Sequence, residues 1–184
     1  MNKLIAEELI EMARHDLQVR EELLKAGKIS PGYHPDMEHV HLQNAARLEE
    51  IIDIIGYPTR SKVGKEASEA AWLIVQHAIS KPSLMRNYYT LLTETPEDVN
   101  PQNLAYLHDR ICYFEGKPQK YGTQFDHRGL YPVENKAETI RLREALQLSA
   151  HEEKLIIEAQ NPTKDLHPHD KDFNLWRKKV GWVK

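Results

Sequence analysis

Polar side chains interrupt the apolar faces of three predicted helices, and their chemistry suits proton transfer or ligand binding. Asp16 falls on the apolar stripe of the first helix, His41 and Asn44 on that of the second, and Gln76 and His77 within the apolar third. A buried polar group without a partner costs about 1–3 kcal/mol, so each of these needs a hydrogen bond or a polar cavity. We therefore predict an internal polar pocket, with a closed structural network between the helices as the alternative.

His77 is the member of this set best suited to general acid–base catalysis. Imidazole titrates at about pH 6.5, and a carboxylate, Asp109 or Asp16, would fix its tautomer. Arg110 follows Asp109 in a predicted helix, and adjacent helical residues reach different partners. We predict His77 and Asp109 as catalytic residues. Arg110 and Gln76 are predicted to bind substrate, and an ordinary surface pair of Asp109 and Arg110 is the alternative.

Residues 115–125 (EGKPQKYGTQF) form an unusually polar segment directly after that helix. Its glycines and proline predict a turn that leads into an extended stretch. Gln119, Tyr121, Thr123 and Gln124 offer amide, phenol and hydroxyl groups that suit the binding of a polar ligand. We predict that they line the site and bind substrate, and the alternative is a hairpin whose side chains only cap helix ends.

Four residues are predicted to support the pocket. Asp16 and Arg20 stand four residues apart, a spacing that allows an ion pair across one helical turn. His41 and Asn44 complete the group from the second helix. Arg20, if it were free of Asp16, would bind an anionic group of the substrate.

A metal site is the second alternative for the chemistry. Glu38 and His41 have the Glu-x-x-His spacing of di-iron helix bundles, but the sequence contains no second motif of this kind. A single ion held by His41, His77 and a carboxylate is the remaining metal hypothesis. We predict no cofactor, with one metal ion as the alternative.

Three classes of function are therefore compatible with the sequence. The first is a histidine-based acid–base hydrolase or transferase that acts on a small polar or anionic substrate. The others are a non-catalytic module that binds a small molecule, peptide or protein, and a metal-dependent enzyme. Neither a P-loop nor a GxGxxG motif is present, which argues against a nucleotide-binding role.

Helical periodicity predicts a mainly α protein, a compact multi-helix bundle with one small β-hairpin after the fifth helix. The predicted helices span 3–26, 36–55, 63–80, 83–92, Pro101 to Gly116, and Asn135 to about 148, with a further segment from Ser149 to Asn161. A loop with Pro31, Gly32 and Pro35 precedes the second helix, and Gly129 is placed at the hairpin turn. Residues 1–162 are predicted to form a single helical domain, and 163–184 a polar C-terminal extension.

Composition restricts the possible binding partners and the cellular location of the protein. The chain has 184 residues, 40% of them hydrophobic and 29% charged, which is typical of one soluble domain. A net charge of -3 argues against binding to nucleic acid or to an anionic membrane. The single cysteine, Cys112, excludes an intramolecular disulfide, and the acidic residues in the N-terminal segment predict that it is neither a signal peptide nor a membrane span. We predict a cytoplasmic protein with a small-molecule or peptide ligand; the oligomeric state stays open.

Four sequence segments together carry a family resemblance: GYPT, VGKEASEAAWLIVQHA, AYLHDRI and GKPQKYGTQF. They resemble a widespread bacterial family of unknown function over about residues 10–148. The resemblance implies that one shared signature contains Gln76, His77, Asp109, Arg110, Gln119, Tyr121, Gly122, Thr123 and Gln124, and it implies no reaction. Tyr57 stands where tryptophan is usual, and His108 stands where threonine is common, so His108 is not counted as a site residue.

Overall fold

The computed structural model describes residues 2–28 and 33–184, and this part of the chain is mainly α-helical with one small hairpin, as predicted. The α-helices are α1 (Lys3–Lys25), α2 (Pro35–Ile55), α3 (Arg60–Val63), α4 (Lys65–His77), α5 (Pro82–Glu94), α6 (Pro101–Glu115), α7 (Lys136–Ala145) and α8 (Lys171–Val180). The strands are β1 (Phe125–Asp126) and β2 (Gly129–Leu130). Pro35 begins α2, whereas Pro31 and Gly32 lie outside the described residues. None of the described helices is long and apolar enough to span a membrane.

The chain folds as two compact units, one ending at Val99 and the other running from Asn100 to Lys184. In the first unit α4 is the central helix, since small and apolar side chains on most of its surface are buried. Asn44 of α2 donates to the Met12 carbonyl of α1, and Arg47 pairs with Glu8, so α1 and α2 run antiparallel. The backbone of Asn2 donates to Lys62, just before α4, so α1 and α4 start together and run parallel.

Helix ends in the second unit follow the predicted signals. The Asn100 side chain accepts a hydrogen bond from the Gln102 amide at the start of α6, and Gly116 ends that helix in the left-handed region (φ 71°). The Asn135 side chain accepts from the Glu138 amide and begins α7. These capping predictions are confirmed, although α7 ends at Ala145, short of the predicted boundary.

Two predicted details of the second unit are wrong. Asp126 pairs with Gly129, so His127 and Arg128 form the hairpin turn and Gly129 lies in β2. The segment after Ser149 contains only a single 3-10 turn, Glu153–Leu155. Beyond it the backbone pairs in parallel with Val133, because the amides of Val133 and Ala159 donate across the two segments.

The predicted polar extension packs within the second unit through Arg177. This side chain is fully buried in α8 although its charge would favour solvent. Its guanidinium donates to the Phe114 carbonyl (3.1 Å) and to Asp165 (2.5 Å), and it lies 5.3 Å from the Phe173 ring centroid. Trp182 stacks on Phe114 with 5.1 Å between ring centroids. The segment is polar in composition, but its aromatic face and buried arginine join it to α6.

A side chain at Gly116 should lower the stability of the second unit. A Cβ there would collide with the Asp165 carboxylate and lie 2.9 Å from Nη1 of Arg177, at a positive φ. Gly181 ends α8 with φ 93°, and nothing lies within 4 Å of an added Cβ. We expect Gly116→Ala to lower the free energy of unfolding by about 2–4 kcal/mol and the matched Gly181→Ala by about 1 kcal/mol. Urea denaturation would measure both, and equal losses would contradict the crowding at Gly116.

Candidate functional site

Three titratable side chains from three helices meet inside the first unit: Asp16 of α1, His41 of α2 and His77 of α4. The antiparallel course of α2 places His41 beside Asp16, one turn before the contact of Asn44 with Met12. Because α4 runs parallel to α1, its last residue, His77, also lies beside Asp16. One ligand atom from each residue lies within 4.8 Å of the other two. We call these three residues the Asp16 cluster.

The Asp16 carboxylate is fully buried and ionised. Burial opposes its ionisation and raises its pKa, but the interactions with His41 and His77 outweigh this effect. The pKa of Asp16 therefore lies at about 2, below its usual 3.8. A buried carboxylate that stays ionised in this way attracts a cation.

His41 is nine-tenths buried and has different surroundings at its two ring nitrogens. Nδ1 lies 2.5 Å from the Tyr33 hydroxyl, a hydrogen bond that orients the ring. Nε2 lies 3.3 Å from Oδ2 of Asp16 but makes no hydrogen bond in the described part of the chain. The two atoms are close, yet their geometry is not that of a hydrogen bond.

His77 is the open member of the cluster, with about 21% of its side chain exposed. Its Nδ1 lies 2.9 Å from Oδ1 and 3.0 Å from Oδ2 of Asp16, so it donates to the carboxylate as a whole. The rings of His77 and His41 lie 4.9 Å apart. Within the described residues no hydrogen bond reaches Nε2 of His77, and a proton or a ligand can approach from this side.

This arrangement is compatible with two kinds of chemistry. Two imidazoles and one carboxylate are ligands that zinc and iron accept, and three protein ligands leave positions for water or substrate. Alternatively, a histidine that donates one ring nitrogen to a buried carboxylate can exchange protons at the other nitrogen. Both uses depend on the same side chains.

The predicted pair of Asp16 and Arg20 is not formed. Arg20 is exposed, and no ion pair or hydrogen bond joins it to Asp16 in residues 2–28 and 33–184. The carboxylate lies on the buried side of α1, where His77 donates to it and Nε2 of His41 lies 3.3 Å away. Arg20 is free of Asp16, the condition under which it was expected to bind an anionic group. The Asn44 side chain donates a hydrogen bond to the Met12 carbonyl and so links α2 to α1.

Asp109 has a different environment, in the second unit. Its fully buried carboxylate accepts hydrogen bonds of 2.8–3.1 Å from the backbone amides of Lys120, Tyr121 and Thr123 and from the Thr123 hydroxyl. His108 adds a contact of 3.0 Å. Asp109 therefore ties the predicted site loop to α6, and the carboxylate that His77 contacts is Asp16.

Several other polar groups of this loop also bond within the second unit. The Gln119 side chain is buried and bonds to both the amide and the carbonyl of Gln124 and to the Tyr131 carbonyl. Arg143 donates to the carbonyls of Tyr121 and Gly122. The loop is thus held by hydrogen bonds within the second unit, and substrate binding by Gln119, Tyr121, Thr123 and Gln124 stays a prediction.

Arg110 and Gln76 complete the predicted set. The Arg110 guanidinium lies 5.5 Å from the Phe114 ring centroid on α6, and Gln76 is buried in α4. The predicted residues thus fall into two sets, the Asp16 cluster in the first unit and the Asp109 network in the second. A pocket that joins the two sets stays a prediction.

Sequence patterns missed several residues that hold these two sets in place. Tyr33 reaches His41 from eight positions earlier, in a loop where no periodicity predicts direction. Arg143 and His151 reach the Gly122 carbonyl from more than 20 residues later. Gly122 itself was a usable signal, because its positive φ (68°) and tight surroundings require glycine.

Comparisons with known proteins identify one family. The model of a protein family described as Family of unknown function (DUF6624) matches residues 4–156. The match contains both the Asp16 cluster and the Asp109 network, and it ends before α8. No curated protein and no solved structure matches the chain.

Proposed function

The chain belongs to the family of unknown function DUF6624, and we propose that it is a hydrolase that binds one divalent metal ion through the Asp16 cluster. The substrate would be a small polar or anionic molecule. His77 lies on the exposed side of the cluster, which gives such a molecule access to the ion.

The buried Nε2 of His41 is the observation that carries this proposal. When Nδ1 donates its proton to Tyr33, Nε2 presents a lone pair towards the Asp16 carboxylate, and neither group satisfies the other. A cation between them would satisfy both. Ligand atoms around one tetrahedral zinc ion lie about 3.3 Å apart, given bonds of about 2.0–2.1 Å. Oδ2 of Asp16 lies 3.3 Å from Nε2 of His41 and 3.0 Å from Nδ1 of His77, close to that spacing.

A metal ion would supply water activation at this position. In catalytic zinc sites the bound water loses a proton near neutral pH, and three protein ligands would leave a position for it here. The chain itself would hold the ion with Asp16, His41 and His77, and orient the His41 ring through Tyr33.

A second candidate is acid–base catalysis without metal, and the contact of His77 with Asp16 favours it. Nδ1 of His77 donates to both carboxylate oxygens, which leaves Nε2 as the proton acceptor. In this case His77 would take the proton from water in a hydrolase reaction, or from the acceptor group in a transferase reaction.

Calorimetric titration of chelator-treated protein with zinc separates the candidates. We expect one bound ion per chain, and we expect His41→Ala to weaken zinc binding by at least about 100-fold. Mutation of residues that only hydrogen-bond to a metal ligand already lowers metal affinity by about 10- to 100-fold. His39→Ala is the matched control, because His39 is exposed on the same helix and should leave affinity unchanged. Equal affinity of wild type and His41→Ala would contradict the metal site. Activity that survives chelation but requires His77 would support the second candidate. A cytoplasmic location stays a prediction.

A further inference from the structure

A carboxylate–hydroxyl pair lies next to the Asp16 cluster. Glu38 precedes His41 by one turn of α2, and residues at this spacing share a helix face. Ser80 follows His77 by three residues, just after the end of α4. The Ser80 hydroxyl donates to Oε1 of Glu38 at 2.6 Å. The pair therefore links α2, one turn before His41, to the chain three residues after His77.

Glu38 is available for proton transfer and is not itself part of the ligand set. The set of atoms within 4.8 Å contains only the three cluster residues in the described part of the chain. Oε2 of Glu38 makes no hydrogen bond within that part. The neighbouring cation, Lys81, lies 3.1 Å from Glu49 and so pairs with another carboxylate of α2. Glu38 is half-buried, with one oxygen fixed by Ser80 and the other open.

We propose that Glu38 accepts the proton of the water molecule that attacks the substrate, and that Ser80 is the positioning residue for Glu38; this inference rests on the proposed hydrolase function. As the water oxygen forms its bond to the electrophilic atom of the substrate, its O–H bond breaks and the proton moves to Oε2 of Glu38. Glu38 then passes this proton to the departing group, whose bond to that atom breaks. Water is added across the cleaved bond, and Glu38 returns to its ionised form.

Cobalt-loaded protein gives a test that needs no known substrate. The visible absorption of bound Co(II) changes when the water molecule on the ion loses its proton. An ionised Glu38 in contact with that water would shift this proton loss to higher pH. We expect Glu38→Gln to lower the midpoint of this absorption change by about one pH unit, because it removes a negative charge and an acceptor. Ser80→Ala should lower it by less, and Ser80→Thr should restore the wild-type midpoint.

Glu49→Gln is the matched control, since Glu49 is on the same helix and pairs with Lys81. Its midpoint should equal that of wild type. An unchanged midpoint in Glu38→Gln, with Co(II) bound as tightly as in wild type, would overturn the role of Glu38 and leave the metal site standing. Failure of the wild-type protein to bind Co(II) would overturn the proposed function and this inference together.

Discussion

Replacement of Asp109 by alanine is expected to lower the free energy of unfolding of the second unit by about 4 kcal/mol or more. The change leaves the backbone amides of Lys120, Tyr121 and Thr123 without their acceptor. Each buried donor that loses its partner costs about 1–3 kcal/mol. Since domains are commonly stable by about 5–15 kcal/mol, the loss would be a large part of the total.

Tryptophan positions allow this effect to be measured in the second unit alone. Trp176 and Trp182 lie in that unit, and Trp72 lies in the first. In a Trp72→Phe background, fluorescence during urea denaturation therefore reports on the second unit. Asp172→Ala is the control, because Asp172 is exposed on α8 and its removal should change stability by less than about 0.5 kcal/mol. A loss below 1 kcal/mol for Asp109→Ala would show that the loop does not depend on this carboxylate.

Acid should destabilise the metal-free first unit through Asp16. The pKa of Asp16 is about 2 in the folded protein and about 3.8 when unfolded, so the unfolded chain binds the proton more readily. The stabilisation is complete above pH 5 and is lost as the pH falls towards 2. The difference between the two pKa values corresponds to about 2 kcal/mol.

Asp16→Asn should remove this part of the acid dependence, because an amide does not titrate. Thermal denaturation of metal-free protein between pH 5 and pH 2 would compare the variant with wild type. Asp53→Asn is the matched control, since Asp53 is exposed on α2 and should keep the wild-type slope. A wild-type slope in Asp16→Asn would mean that another group causes the acid sensitivity.

Helix positions and ends were the most predictable part of the structure. The period of apolar residues locates α1, α2 and α6. Local chemistry at Asn100 and Gly116 sets the two ends of α6, and Asn135 sets the beginning of α7. These signals act over a few residues and need no knowledge of the fold. The parallel contact between Val133 and the segment after Ile156 joins distant positions, so no local pattern indicated it.

The sequence also indicated which side chains of the site point into the protein. Periodicity placed Asp16, His41 and His77 on buried faces, and the structure brings all three together. Periodicity gives a direction around a helix but does not say which helices are neighbours. The sequence offered both Asp109 and Asp16 as partners of His77 and favoured Asp109 as the catalytic residue. The packing of α4 on α1 shows that the partner is Asp16.

The burial of Arg177 bears on where the protein can be cut for laboratory work. The family match stops at residue 156, and a recombinant fragment designed on that boundary would lack Asp165, Phe173 and Arg177. The Phe114 carbonyl would lose its donor and the Phe114 ring would lose Trp182. An aromatic surface on α6 would then face water, and such surfaces promote aggregation. Fragments intended for crystallisation or assay should therefore retain the chain through α8 and Trp182.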